Sequence, residues 1–216
     1  MLEYYSFLGD ILLGIEFLSA LVAIIYFRRL KHSYWRFLAI YLVFIFIQEL
    51  FWKFNSSLAI IRKQDYYLFF GIPVQYIFLF WLYALKSLKN KKMFLICLIL
   101  YSTSFIPLTL KVDKINVVYS LNLTIGTILL SILVVLEFLK QIKNDDILKF
   151  KENKMFYINL GVIFFYIGTY PLFSFYDYLS KSLTTIWNYY YLYFLISNCI
   201  MYLLFSASFI WGKTQS

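Results

Sequence analysis

The feature that most constrains this sequence is a succession of long apolar runs joined by short basic connections. A helix crossing the hydrocarbon of a bilayer, about 30 Å, needs about 20 mostly apolar residues. Seven windows of the 216-residue chain meet that need, near 6–27, 34–54, 66–86, 93–111, 115–139, 155–178 and 187–211. None shows the alternating pattern of a membrane barrel strand, and unpaired backbone in lipid is prohibitive, so the windows predict helices. Composition agrees, since 62% of the residues are hydrophobic and 14% charged, against about 25% charged in an ordinary soluble domain. The expected fold is all-α, a polytopic seven-transmembrane-helix bundle forming one domain over residues 1–216.

A net charge of +9 raises the question of a nucleic-acid partner. The basic residues fall between the apolar runs rather than along one stripe, so the expected partner is the lipid bilayer and no nucleic acid. Basic loops stay on the cytoplasmic side of a membrane. Fourteen Lys and Arg lie in the connections after the first, third and fifth windows and at the C-terminus, and six lie on the other side. This places the N-terminus outside and the C-terminus in the cytoplasm, and the expected location is a bacterial inner membrane. Tyr4, Tyr5, Tyr34, Trp35, Trp52, Tyr66, Tyr67, Trp187 and Trp211 sit at window ends, where amphipathic rings favour the interface.

The first window carries Asp10 and Glu16 with no basic stretch before it, the pattern of a retained helix rather than a cleaved signal peptide. The longest cytoplasmic connection is 141–154 and five residues follow Trp211, so function is expected in the bilayer or through another chain. Cys97 and Cys199 lie in separate windows without a CxxC, and His32 is the single histidine, in a basic patch. No metal and no cofactor is expected from them. Phosphate-loop, GxSxG and HExxH motifs are absent from the sequence.

Polar residues inside the windows are the informative ones, because an ionisable group at the bilayer centre costs about 2.5 to 3.5 kcal/mol on insertion scales. Glu16 is near the middle of the first window, on one face with Gly9, Ala20 and Ala23. Gln48 and Glu49 lie toward the outer end of the second, where Glu49 can also snorkel or pair with Lys53. Gln75 follows Gly71 and Pro73, a combination that bends a helix and frees a carbonyl. The fifth window has a hydroxyl stripe, Ser120, Thr124, Thr127 and Ser131, with Asn122 beside it. The sixth aligns Asn159, Tyr166, Tyr170 and Asp177 around Gly168 and Pro171, and the seventh aligns Trp187, Tyr191, Asn198 and Tyr202. The expected ligand-binding set is Glu16, Glu49, Gln75, Asn122, Tyr166, Tyr170 and Asn198, with Gly71, Pro73, Gly168 and Pro171 as pliable positions. The plain alternative for the amides and hydroxyls is interhelical bonding at about 0.6 kcal/mol each. Glu137 and Asp177 are near enough to window ends to be ordinary interfacial groups.

Known seven-helix chemistries fit poorly. A retinal protein needs a lysine in the last helix, and none precedes Lys213. A carrier built from two three-helix repeats would repeat its polar pattern, yet Glu16 has no acidic counterpart in the fifth window. An intramembrane hydrolase of the lysoplasmalogenase type is similar in size, but its acidic constellation finds no place here.

The stretch YINLGVIFFYIGTYPLFSFYDY from Tyr157, with Gly161, Tyr166 and Gly168, and IWNYYYLYFLISNCIMYLLF from Ile186, with Trp187 and Asn188, carry a resemblance. They resemble the last two helices of small, largely uncharacterised bacterial seven-helix inner-membrane proteins, and are similar to membrane modules associated with sensor histidine kinases. That resemblance implies a sensor or accessory subunit that takes a small or lipidic ligand and signals through a partner protein. It implies no catalytic residue. A small proton-coupled transporter and an intramembrane lipid-acting enzyme remain the alternatives.

Overall fold

The computed structural model describes residues 2–30, 33–54, 61–106, 115–144, 146–171, 179 and 182–213. Among them the chain is all-α. Its helices are α1 (Leu2–Phe27), α2 (Arg36–Phe54), α3 (Lys63–Ser87), α4 (Lys91–Ser102), α5 (Ile115–Lys143), α6 (Lys154–Ile167) and α7 (Thr184–Ile210). Each overlaps one expected window. Five of them, α1, α2, α3, α5 and α7, are long and apolar enough to cross a membrane. The helix α4 has 12 residues before a tighter turn over Thr103–Phe105, and α6 is a shorter apolar helix. The remainders of their windows, 107–111 and 172–178, lie outside the described residues, as do His32, Pro107 and Asp177. Large apolar side chains such as Phe17, Ile24, Ile25, Ile128, Val135 and Leu203 face outward. Lipid is the solvent that accepts such faces, which points to a multi-pass membrane protein.

The chain forms two compact units: Met1–Leu58, Asp145–Thr169 and Leu183–Ser216 make unit 1, and Ala59–Asn144 and Tyr170–Ser182 make unit 2. In unit 1, α1 runs antiparallel to α2, with an Asp10–Lys53 ion pair near one end and Phe17 against Phe46 further along. It runs parallel to α7: Tyr5 donates to the Asn188 carbonyl, and Ser19 donates to the Tyr202 carbonyl and accepts from Ser206. Small Ala20 and Ala23 are buried on the same face, which lets neighbouring backbone approach, whereas Gly9 has open space where a Cβ would sit. In unit 2, α3 runs parallel to α5, with Leu68, Tyr76 and Ser87 bonded in turn to Asn122, Thr127 and Glu137. The helix α4 returns antiparallel after a tight turn in which Lys89 adopts φ 53° and Asn90 caps the Met93 amide.

Two helices contain wider turns, and the sequence supplies the reason. In α3 the ladder slips over Tyr67–Gly71, so that the Ile72 amide bonds the Tyr67 carbonyl, five residues back. Pro73 has no N–H to continue that register, which leaves the Leu68 carbonyl for Asn122, whose Nδ2 donates to it at 3.3 Å. In α6 the slip spans Ile163–Ile167, and the Gly168 amide reaches the Ile163 carbonyl at 2.9 Å. The bypassed Phe164 carbonyl accepts from the Tyr193 hydroxyl at 2.9 Å. A Cβ at Gly168 would lie 2.1 Å from that hydroxyl oxygen, so only glycine fits.

Candidate functional site

Unit 1 buries a set of polar side chains together with Glu16. That residue, halfway along α1, is 4% exposed, and Gln48 on α2, Asn159 and Tyr166 on α6, and Asn198, Tyr202 and Ser206 on α7 are buried as well. The Tyr41 hydroxyl of α2 is hydrogen-bonded to Tyr166 and lies in the field of the Glu16 carboxyl. Cys199 on α7 lies in the same field. Thus α1, α2, α6 and α7 each bring a polar group to the level of one central carboxyl. Asn159 is 0% exposed and neither end of its amide has a partner among the described residues, and the Asn198 Oδ1 is likewise buried and unpartnered there. Such groups cost about 1–3 kcal/mol each while unsatisfied.

The expected ligand-binding residues separate between the units. Glu16, Glu49, Tyr166 and Asn198 belong to unit 1, and Gln75, Asn122 and Tyr170 to unit 2. Glu49 is half-buried and accepts from Gln48 Nε2 at 3.4 Å, while Lys53 pairs with Asp10. In unit 2 Asn122 is bonded to Tyr101 and to the Leu68 carbonyl. Tyr76 shares a 2.8 Å hydrogen bond with Thr127 and donates to the Leu123 carbonyl at 3.2 Å. Ser131 turns back to the Thr127 carbonyl at 2.7 Å. Thr127 and Ser131 of the hydroxyl stripe are therefore engaged in helix contacts. Gly71 and Pro73 border one wide turn, and Gly168 and Pro171 follow the other. Gln75 and Tyr170 are half-buried.

Two charged groups, one that sequence placed near a window end and one in a basic connection, are buried. Glu137 on α5 is 1% exposed and accepts from Ser87 Oγ at 2.6 Å and from Gln141 Nε2 at 3.1 Å. Lys154, which precedes the apolar window at the head of α6, is also buried, and its Nζ donates to the carbonyls of Ser208 at 2.9 Å and Gly212 at 2.6 Å. Loss of hydration pushes its ammonium down to about 8. Beside it Lys213 pairs with Glu152, and its amide bonds the Glu152 carbonyl, fastening the end of α7 to the start of α6. Sequence spacing gave no sign of either, because the contact that ties each to another helix comes from 50 or more residues away.

Cys97 and Cys199 are free thiols. Among the described residues no group of three His, Cys, Asp or Glu comes together as a metal site. No family model matches the chain, and neither a curated protein nor a solved structure is significantly similar to it.

Proposed function

We propose that this chain is a seven-pass inner-membrane protein, N-terminus outside and C-terminus cytoplasmic, that serves as a sensor or accessory subunit. It binds a small or lipidic ligand in the polar core of unit 1 and signals through a partner protein. The orientation rests on the asymmetry of basic residues. The alternation of helix direction within each unit, α1 and α7 against α2 and α6, and α3 and α5 against α4, supports an up-and-down path.

The observation that carries the ligand reading is the set of unpartnered amide groups on Asn159 and Asn198 in the helices that surround Glu16. A ligand with a donor and an acceptor would satisfy them, and its contacts with four helices give it the differential affinity needed to bias two packings. The wide turn before Gly168 is the pliable place in that unit. The test is native mass spectrometry of the protein purified in a mild detergent. The expected result is one defined small molecule or lipid that is lost in Glu16→Gln while expression is kept. A protein that carries nothing, or a variant that keeps its ligand, would refute the reading.

A proton-coupled transporter gains support from the Glu16, Tyr41 and Tyr166 group, which unites a carboxyl with hydrogen-bonded hydroxyls. Uptake into vesicles that follows a pH gradient and vanishes in Glu16→Gln would favour it over the sensor.

A further inference from the structure

We propose that unit 2 contains a site for a monovalent alkali cation, Na⁺ or K⁺, at the C-terminal end of α3, and that the Lys140 ammonium occupies it here as a tethered competitor. The site is independent of the polar core in unit 1.

Its centre is the buried carboxylate of Glu137. The Lys140 Nζ lies 2.9 Å from the Ser87 carbonyl oxygen, 3.0 Å from Ser87 Oγ and 3.7 Å from Glu137 Oε2. The last distance is too long for a hydrogen bond, so the ammonium makes two bonds and leaves its third donor loosely placed. Two further oxygens at the cluster lack a partner. Gln141 donates its amide nitrogen to Glu137 at 3.1 Å, and its Oε1 is buried without a partner among the described residues. Tyr83, one turn before Ser87, is 0% exposed, lies in the field of Glu137, and has an unpartnered hydroxyl.

The cluster therefore offers a carboxylate, a main-chain carbonyl and an aliphatic hydroxyl, with the amide oxygen of Gln141 and the phenol of Tyr83 on residues that adjoin Glu137. These are hard oxygen donors with no nitrogen or sulfur ligand, the set preferred by cations that bind through charge rather than covalency. One negative charge matches a monovalent ion, whereas divalent sites recruit more carboxylates. The wide turn Trp81–Ser87 ends α3 with carbonyls outside the regular ladder, the kind of helix terminus that coordinates Na⁺ in membrane transport proteins. The Lys140 side chain is 36% exposed, and its flexible stem can carry the ammonium to water when an ion enters. Cation binding and Lys140 insertion are then mutually exclusive, which couples the ion to the α3–α5 contact.

The first experiment uses the wild-type protein in detergent. A brief pulse of succinimidyl acetate is given in sodium, potassium or choline chloride at equal ionic strength, and lysine acetylation is read by peptide mass spectrometry. Severalfold faster labelling of Lys140 in sodium or potassium than in choline is expected, with exposed Lys143 unchanged as the reference. Equal Lys140 labelling in all three salts overturns the proposal. In the second, Lys140→Gln removes the competitor, so its thermal midpoint should rise with the alkali cation more steeply than that of wild type. Adding Glu137→Gln should abolish the rise. A Lys140→Gln protein that melts alike in all three salts also overturns the proposal, and if that variant does not fold the labelling result decides.

Discussion

Lys154 in unit 1 and Lys140 in unit 2 perform the same elementary task in different surroundings. Each reaches from a neighbouring helix to carbonyls at a helix C-terminus, Lys154 to Ser208 and Gly212 at the end of α7 and Lys140 to Ser87 at the end of α3. A cation there satisfies orphan acceptors and the negative end of the helix dipole. Lys140 has a carboxylate beside it and is partly open to water, whereas Lys154 is buried, bonded to carbonyls alone, and 5.8 Å from the centre of the Phe209 ring. Dipoles and a ring face compensate a charge less completely than a carboxylate does. Hence the closure of unit 1 is held by a strained cation, and that of unit 2 by an exchangeable one.

The largest effect should come from removing the strained cation. Lys154→Met takes one donor from the buried Ser208 carbonyl, which keeps the Gly212 amide at 3.2 Å, and one from the partly buried Gly212 carbonyl; at about 1–3 kcal/mol for an unsatisfied group the loss of stability is up to about 3 kcal/mol, read by thermal unfolding in detergent. The pH dependence gives an independent signature. The folded state holds this amine near 8 while the unfolded chain titrates it near 10.5. Between those values the unfolded state binds more protons, so stability rises with pH across that window. Wild type should show the rise and Lys154→Met should lack it; a parallel rise in both would assign it to another group.

The glycines of unit 1 offer a sharper contrast at smaller cost. Gly168→Ala places a Cβ against the Tyr193 hydroxyl and breaks the bond that rescues the Phe164 carbonyl. Overpacking of this kind costs about 1–3 kcal/mol. Gly14→Ala on α1 meets nothing within 4 Å, and alanine is the better helix former by about 1 kcal/mol, so it should be neutral or stabilising. Equal melting temperatures for the two variants would mean that the wide turn in α6 carries no packing constraint.

The parts of this structure that sequence disclosed are those in which one residue is out of place by itself. Glu16 interrupts an apolar run far from either end, so burial among other polar groups was the only economical outcome for it. Gly71 with Pro73 announced irregular helix because proline withholds a donor, whereas the wide turn of α6 is closed by the Gly168 amide, three residues before Pro171. Glu137 gave no such signal: with Lys140 and Lys143 following, it has the spacing of a side chain that reaches the interface, and its contact with Ser87 on α3 comes from 50 residues earlier. Lys154 was hidden in the same way among basic loop residues. The partner that makes Gly168 obligatory is Tyr193, one of 21 tyrosines, and no local pattern singles it out.

The smallest predicted effect tests whether the polar contacts of the two units differ in kind. In unit 2, Thr127→Val preserves shape and removes one hydroxyl from Tyr76, which keeps its bond to the Leu123 carbonyl. Interhelical bonds of this sort contribute about 0.6 kcal/mol, so unfolding should shift slightly and any ligand carried by the protein should be retained. In unit 1 the same modest chemical change, Tyr41→Phe, severs the link to Tyr166 in the field of Glu16. Its cost in stability should be of similar size, yet it should weaken ligand retention in native mass spectrometry. If both variants keep the ligand equally, Tyr41 is a helix contact like Thr127, and the ligand-binding part of unit 1 contracts to Glu16 and the two asparagines.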